Sequence, residues 1–366
     1  MKVFNEHMIM ERCLSLARKG AANVSPNPMV GCVIVQNGKI VGEGFHEKFG
    51  EPHAEIIAME HAGKKTKGAV LFVSLEPCVH FGKTPPCTDA IIHAGISQVF
   101  IASEDPNPLV SGKGIRQLRR AGIRVNVGLL QKEAVLLNEK FFKFMKSGLP
   151  YVGIKLAQTL DGRIADIAGK SKWITSKAAR KEVHRLRNEY DAVLVGANTV
   201  LQDNPVLTVR LVRGNNPVRV VVDGHLSLPA SCAIFNTSSS PTWLLTSIKA
   251  MNLNSQKVKK LVSQGVRVLS VSAGYSLNTK LILRTLAAEG ISSLLLEGGA
   301  DTVNGFVDRY LADKLYLFVA PKILGNGLSG FCFKIPRILS NPIKLKVTKV
   351  LPVGTDILIE AKFIHK

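Results

Sequence analysis

Four residues within 35 positions constrain this chain more than anything else in it: His53, Glu55, Cys78 and Cys87. They sit in the segments Pro52-His53-Ala54-Glu55, Glu76-Pro77-Cys78 and Pro85-Pro86-Cys87. One imidazole and two thiolates suit Zn²⁺, and three protein ligands leave a fourth tetrahedral position for water, as catalytic zinc sites do. Such ligands must be carried on rigid elements. The apolar run Ala69–Val73 predicts a buried strand feeding Cys78, and a helix is predicted from Thr88 to Ala94. Proline favours the first turn of a helix. Each cysteine would then lie near a helix N-terminus, where free N–H groups lower a thiol's pKa.

Glu55, two residues from His53, is placed to handle the protons of a metal-activated water. His-x-Glu followed by Pro-Cys is the pattern of zinc-dependent hydrolytic deamination of a base, with the glutamate as acid and base. A lone His or Cys is usually an ordinary buried residue, but here the order and spacing agree. The usual pattern has two residues between the cysteines; this chain has eight, Val79 to Pro86.

With 366 residues the chain is long enough for two cores. The first 128 residues alternate helix and strand patterns: a helix over Ile9–Ala17, strands over Val30–Gln36 and Lys39–Phe45 joined by an Asn37-Gly38 hairpin turn, and a helix over Ala54–Ala62. Strands at Gln98–Ala102 and Arg124–Gly128 flank a helix at Ile115–Ala121. This predicts a three-layer α/β domain. One helix is predicted over Glu133–Met145, and the Gly148-Pro150 punctuation sets a boundary, giving domains 1–147 and 148–366.

The second half predicts strands at Tyr151–Ala157, Ala192–Val195, Val218–Val222, Thr242–Thr246, Val266–Val271, Ser293–Glu297 and Lys314–Val319, with a turn over Gln158–Ala165. No Gly-x-Gly-x-x-Gly is read after any of these strands, so the usual dinucleotide fingerprint is expected to be absent. Leu294-Leu295-Leu296-Glu297-Gly298-Gly299 does lead from a strand into a helix beginning near Thr302, a place where a backbone can approach a phosphate. A plain tight turn has the same look.

No apolar stretch reaches the ~20 residues of a membrane span, and the N-terminus reads as an amphipathic helix, not a signal peptide. Six cysteines make no disulfide framework. Cys13, Cys32, Cys232 and Cys332 read as small buried hydrophobes, which suits a reducing cytoplasm. Forty-eight Lys and Arg against 27 Asp and Glu give a net charge of +21, but the charges are scattered and aromatic content is 6%. A solvated basic surface is expected, not specific nucleic-acid binding.

Residues 1 to about 145 resemble the deaminase half of the bifunctional riboflavin-biosynthesis deaminase/reductase family. The matching segments are Asn27–Val35, Gly50–Glu55, Cys78–Cys87 with its long loop, and Asp105-Pro106-Asn107-Pro108. The second half resembles the reductase of the same family through Lys155-Leu156-Ala157, Leu160-Asp161-Gly162, Ser171–Thr175, Asn198-Thr199-Val200, Asp203–Arg210, Glu297-Gly298-Gly299 and Ala320–Gly325. The resemblance implies a cytidine-deaminase-like three-layer α/β domain followed by a dihydrofolate-reductase-like α/β domain. It implies Zn²⁺ on His53, Cys78 and Cys87 with Glu55 catalytic, and NADPH as second cofactor.

By the same resemblance Asn27, His46, Ala54, His80, Lys83 and Asn107 contact the substrate of the first half. Ala157, Trp173, Thr199, Asp203, Gly224 and the run Gly299, Ala300, Asp301, Thr302, Val303, Asn304, Gly305 line the NADPH site. Ser171, Arg187, Leu207, Arg210 and Glu297 hold a phosphorylated ribosylamino-pyrimidine, where a guanidinium fork suits a phosphate dianion. Lys155, Asp203 and Glu297 are the candidate proton donors for reduction. A homo-oligomer acting on a small phosphorylated pyrimidine, without nucleic acid or membrane, is the expectation. A tRNA or DNA base deaminase, an enzyme with one decayed domain, and a non-enzymatic binding protein are the rival readings.

Overall fold

A computed structural model describes residues 5–79, 81, 85–333 and 336–365. Chain contacts divide it into two units, Met1–Gly148 and Leu149–Lys366.

The first unit runs α1 (Glu6–Arg18), β1 (Gly31–Gln36), β2 (Lys39–Phe45), α2 (Ala54–Ala62), β3 (Val70–Val73), α3 (Cys87–His93), β4 (Gln98–Ile101), α4 (Lys113–Arg120), β5 (Arg124–Val127), α5 (Gln131–Leu137) and α6 (Glu139–Ser147). The sheet order is β2-β1-β3-β4-β5. β1 pairs antiparallel with β2 and β3, while β3, β4 and β5 are parallel. The β1–β2 hairpin turns at Asn37 and Gly38, both at positive φ, as a two-residue turn matched to strand twist demands.

Successive strand residues face opposite sides, so the sheet has two cores. Ile34, Leu71, Val73, Val99 and Ile101 pack with Ala54, Ala58, Ile91 and Leu118 from α2, α3 and α4. Val33, Val35, Phe72 and Phe100 pack with Met10, Leu14 and Ala134 from α1 and α5. The Phe72 and Phe100 rings stack at 4.6 Å. This is the three-layer arrangement.

One helix prediction fails. The expected helix over Glu133–Met145 is broken at Asn138, whose backbone leaves the helical region at φ −105° and ψ 25°. The cause lies far away in sequence. The Asn138 amide accepts from the Met29 N–H at 2.8 Å and donates to the Met29 carbonyl at 2.9 Å. That pairing fastens the segment before β1, including pocket residues Asn27 and Pro28, to the α5–α6 junction.

The second unit comprises β6 (Tyr151–Thr159), β7 (Arg163–Ala165), α7 (Lys177–Glu189), β8 (Ala192–Gly196), α8 (Ala197–Asp203), β9 (Val218–Val222), β10 (Thr242–Ser247), α9 (Ile248–Leu253), α10 (Ser255–Ser263), β11 (Arg267–Ser272), α11 (Thr279–Ala288), β12 (Ser293–Leu296), α12 (Ala300–Val307), β13 (Lys314–Ala320), β14 (Leu328–Ser329), β15 (Leu345–Val353) and β16 (Asp356–Phe363). Nine strands form one sheet in the order β11-β10-β9-β8-β12-β6-β13-β16-β15. Strands β11 through β13 are parallel neighbours, and β16 and β15 add an antiparallel edge. Near-continuous apolar strands such as Ala192–Val195 are covered on both faces, as a parallel sheet requires.

Three further expectations need correction. The segment Gln158–Ala165 is not simply a turn: β6 continues to Thr159, and Arg163–Ala165 is a strand paired with β14. A Gly-x-Gly-x-x-Gly does follow a strand, at Gly325, Gly327 and Gly330 after β13, but the segment contains the strand β14 instead of opening a helix, and Gly327 lies against the Ala165 backbone. Cys13 and Cys32 are buried as expected, whereas Cys232 is half-buried and Cys332 exposed. Cys232 precedes the short helical turn Ala233–Phe235 and packs only partly buried against the core, while Cys332 lies in a loop.

Candidate active sites

In the first unit, His53 is the residue before α2 and Glu55 lies in its first turn. The His53 Nδ1 atom lies 3.2 Å from the Cys87 Sγ and 3.6 Å from the Cys78 Sγ. All three donor atoms fall within 4.8 Å of one another. Ligands about 2.0–2.3 Å from a tetrahedral zinc stand roughly 3.5 Å apart. The donor set and its spacing therefore fit Zn²⁺, with His53 facing the metal position through Nδ1.

The two cysteines are held differently, which corrects one prediction. Cys87 opens α3, but Cys78 starts no helix. Its sulfur instead accepts the Cys87 backbone N–H at 3.3 Å, so both sulfurs share one helix start. The Cys87 thiol, the Cys87 N–H and His53 hold the Cys78 pKa well below the ordinary range against the opposing effect of burial, whereas the Cys78 sulfur and burial push Cys87 up. Cys78 is thus the readier thiolate.

A cavity of about 210 Å³ opens beside these ligands. Its wall includes Asn27, His46, His53, Glu55, Cys78 and Asn107, all chosen from sequence. Ala54 is buried at the start of α2 and is not part of that wall. His80 and Lys83 lie outside the described residues. The Glu55 carboxyl is buried, and desolvation raises its pKa. A carboxyl that readily takes up a proton is what a shuttle needs. His46 Nδ1 lies 3.1 Å from the Pro52 carbonyl and its Nε2 lies 3.2 Å from the Asn27 amide nitrogen. Donation to the carbonyl fixes the tautomer, and Nε2 then accepts from Asn27, leaving the amide oxygen for a ligand.

Sequence reasoning missed Glu76 and Asp105, which also line this cavity. The Glu76 carboxylate accepts N–H bonds from Asp105, Gly112 and Ile115 at 2.9–3.2 Å. It ties the loop carrying Asn107 to the Cys78 turn. Burial, with smaller contributions from Glu76 and Cys78, raises the Asp105 pKa to about 6 despite the Asn107 N–H. The only signal in sequence was an acid beside each motif.

In the second unit the chosen residues gather at the carboxyl ends of the parallel strands, where open α/β sheets bind ligands. Glu297 follows β12 and is almost fully buried. Arg187 from α7 donates to its two oxygens at 2.6 and 2.9 Å and to the Thr208 carbonyl at 3.1 Å. The fork that sequence assigned to a phosphate is therefore occupied by a carboxylate. Lys155 on β6 lies 3.7 Å from the same carboxylate. Arg210 binds the Thr208 hydroxyl, and its N–H donates to the His184 Nδ1. Burial, then Arg187 and Arg210, lower the His184 pKa to about 4, so that ring is neutral. Arg187 and Lys155 face Glu297, Arg210 stands near Arg187, and Asp203 acts on Lys155, so three cations against two carboxylates leave the site net positive, which suits an anionic substrate. The Leu207 side chain is buried in the core and its φ is +55°, so only its backbone faces this cluster.

Burial opposes ionisation of Glu297, but Arg187 and Lys155 outweigh it and hold the carboxyl at about 2. A depressed carboxyl stabilises the fold above its unfolded pKa of about 4.3. That stability is expected to vanish as pH falls from about 4 toward 2. Glu297→Gln leaves two buried cations unpaired and should cost about 3 kcal/mol or more in urea unfolding at neutral pH. An unchanged urea midpoint would show that the ion pair contributes nothing.

The proposed cofactor residues fall along the same edge. The Gly299 N–H donates to the Thr199 hydroxyl at 2.9 Å, joining the ends of β8 and β12. A side chain on Gly196 would meet the Thr302 hydroxyl at 2.4 Å, so glycine lets the start of α12 close onto the sheet. That backbone cradle fits the phosphates of a dinucleotide. Ser171 donates to Asp203, and Lys172 to the Asp203 carbonyl. Trp173 is exposed, with the Arg180 guanidinium 4.3 Å over its ring, so core packing is not its role. Ala157 packs partly buried against the core, and Gly224 follows β9. Within Gly299–Gly305, Val303 is in the core and Asn304 turns inward to the Cys332 carbonyl. In the first turn Asp301 is exposed, whereas Ala300 and Thr302 are half-buried and Thr302 stands against Gly196 and Gly298.

The match with known proteins extends over both units. A family profile described as the cytidine and deoxycytidylate deaminase zinc-binding region matches residues 5–103, and one described as the RibD C-terminal domain matches residues 150–359. The riboflavin biosynthesis protein RibD of Aquifex aeolicus is 48% identical over 351 residues, 96% of each chain. That of Escherichia coli is 38% identical over 364 residues, 95% of this chain and 96% of the other. A crystal structure of a diaminohydroxyphosphoribosylaminopyrimidine deaminase/5-amino-6-(5-phosphoribosylamino)uracil reductase from Thermotoga maritima superposes with a TM-score of 0.86 at 42% identity, covering 98% of both chains.

Proposed function

The chain belongs to the RibD family of riboflavin-biosynthesis proteins, and we propose that it performs two successive steps of that pathway. The first removes the 2-amino group of 2,5-diamino-6-ribosylamino-4(3H)-pyrimidinone 5′-phosphate as ammonia. The second reduces the ribosyl group of the resulting 5-amino-6-(5-phosphoribosylamino)uracil to ribityl. The observation that carries this reading is the joint presence of the His53–Cys78–Cys87 triad facing Glu55 in one unit and the cationic strand-end site in the other.

Bound by His53, Cys78 and Cys87, Zn²⁺ supplies a water acidified to a pKa near ~7. The residues around it orient and protonate. Glu55 takes the water's proton and delivers one to the departing amine. Asn27, positioned by His46, and Asn107, positioned through Glu76, hold the pyrimidine ring in the cavity. The Thr199–Gly299 junction and the first turn of α12 would hold NADPH, which would supply hydride for the ribosyl carbon. In that site Arg210 attracts the substrate phosphate. Arg187 acts through Glu297, fixing the carboxylate beside Lys155, and Lys155 stands as the proton source.

The halves 1–147 and 148–366 are read as separately working domains, and a cytoplasmic homo-oligomer is part of the same reading. Expressed apart, the first half should bind one zinc and the second should bind NADPH. A second half that stays unfolded at every concentration tried would place shared core across the boundary. Sedimentation of the full chain as a monomer would remove the oligomer.

A further inference from the structure

The segment 204–210, which carries Leu207 and Arg210, is neither helix nor strand. Its main chain has no ladder to satisfy it, so side chains do so instead. The Val206 carbonyl accepts from Arg219 Nη1 at 3.3 Å, and the Thr208 carbonyl from Arg187 Nη1 at 3.1 Å. The Val209 N–H donates to the Asn216 side-chain oxygen at 2.7 Å, and the Arg210 N–H to the His184 Nδ1 at 2.8 Å. Arg219 is fully buried on β9, and the Asn216 amide is itself tied to the Ser239 carbonyl at 2.8 Å. The strap is therefore fixed point by point along its length.

Two of these anchors come from one helix. His184 and Arg187 are three residues apart on α7 and share a face. Arg187 is committed to Glu297 and Thr208, whereas the buried His184 is committed to Arg210. A neutral imidazole has one accepting and one donating nitrogen. The Arg210 N–H requires Nδ1 to accept, which puts the proton on Nε2. An imidazolium would set N–H against N–H, and burial, then the charges of Arg187 and Arg210, keep the ring from ionising. What His184 holds is the base of an exposed arginine whose side chain spends one N–H on the Thr208 hydroxyl at 2.7 Å. Fixing the main chain and one N–H leaves the rest of the guanidinium aimed, and order imposed before binding lowers the cost of binding.

We propose that His184 is a positioning residue for the reductive step, a hydrogen-bond acceptor that holds the Arg210 main chain so that the guanidinium meets the substrate's 5′-phosphate. This rests on the reading of the second unit as a reductase of a phosphorylated substrate. The role calls for an acceptor and not for a base, so a side-chain amide should fill it and an apolar ring should not. In sequence His184 is one more polar residue of a charged helix, 26 positions from Arg210.

The test is steady-state reduction by the full-length protein of 5-amino-6-(5-phosphoribosylamino)uracil and of the same compound without its phosphate, at saturating NADPH, for the unaltered chain, His184→Phe and His184→Gln. Losing one orienting hydrogen bond should raise the KM of His184→Phe for the phosphorylated substrate about tenfold, with kcat within about twofold. Its KM for the compound without phosphate should stay within about twofold, and His184→Gln should recover most of the preference for phosphate. An equal rise for both compounds would mean that His184 only supports the fold. No rise for either would mean that Arg210 needs no such anchor, and a glutamine variant no better than phenylalanine would mean that accepting a hydrogen bond is not the role. Each of these results overturns the assignment. If His184→Phe does not fold, the unaltered protein still decides: its imidazole nitrogen NMR signals, identified by their loss in His184→Gln, should show a neutral ring protonated on Nε2 at neutral pH. An imidazolium or the opposite tautomer would overturn the assignment. An unaltered protein that reduces neither compound would overturn the reductase reading, and this role with it.

Discussion

Cys87→Ala is expected to abolish ammonia release while leaving reduction of the deaminated intermediate near its normal rate. Cys87 supplies one of three metal-ligand atoms, and its backbone N–H also anchors the Cys78 sulfur. Alanine keeps that N–H and the start of α3, so the fold should survive while the donor set falls to two. Zinc content by atomic absorption should drop from one per chain to near none. Our reading assigns reduction to residues 149–366, the unit to which Cys87 does not belong. Retained zinc with lost activity would mean that His53 and Cys78 suffice for binding and that Cys87 acts in some other way.

The second large effect is at Glu55. Glu55→Gln preserves size and hydrogen bonding but removes the titrating oxygen. General acid–base residues contribute typically ~10²–10⁴-fold, so the deamination rate should fall by about that factor with zinc still bound. The buried setting of Glu55 argues that solvent cannot replace it readily. A near-normal rate would transfer the proton role to another group lining the cavity, with Asp105 the first to examine because it too is a buried acid with a raised pKa.

The metal site was legible in sequence because coordination chemistry restricts residue type and order. A strand, a Pro-Cys turn and a helix start can be read locally, and they carry His53, Cys78 and Cys87. What escaped was set by distance along the chain. Glu297 and Arg187 are 110 positions apart, so nothing local announces that the guanidinium pairs with a carboxylate and not a phosphate. The break at Asn138 depends on Met29, 109 residues away. Glu76 reads as a flank of the Cys78 motif until its carboxylate is seen collecting three N–H groups from the Asp105–Ile115 stretch. The β15–β16 hairpin went unread because β15 is an exposed edge strand mixing Lys with Val, without the alternation of a half-buried strand. Among the described residues no helix is long and apolar enough to cross a membrane.

The most direct test of two chemistries in one chain is a stepwise assay of the purified protein on the diaminopyrimidine ribosylamino phosphate. Without NADPH, ammonia should appear in proportion to substrate, and mass spectrometry should show the uracil product with its ribosyl group intact. Adding NADPH should then consume one equivalent and convert that product to the ribityl compound. NADPH consumption without prior ammonia release, or ammonia released from tRNA but not from the pyrimidine phosphate, would contradict the account.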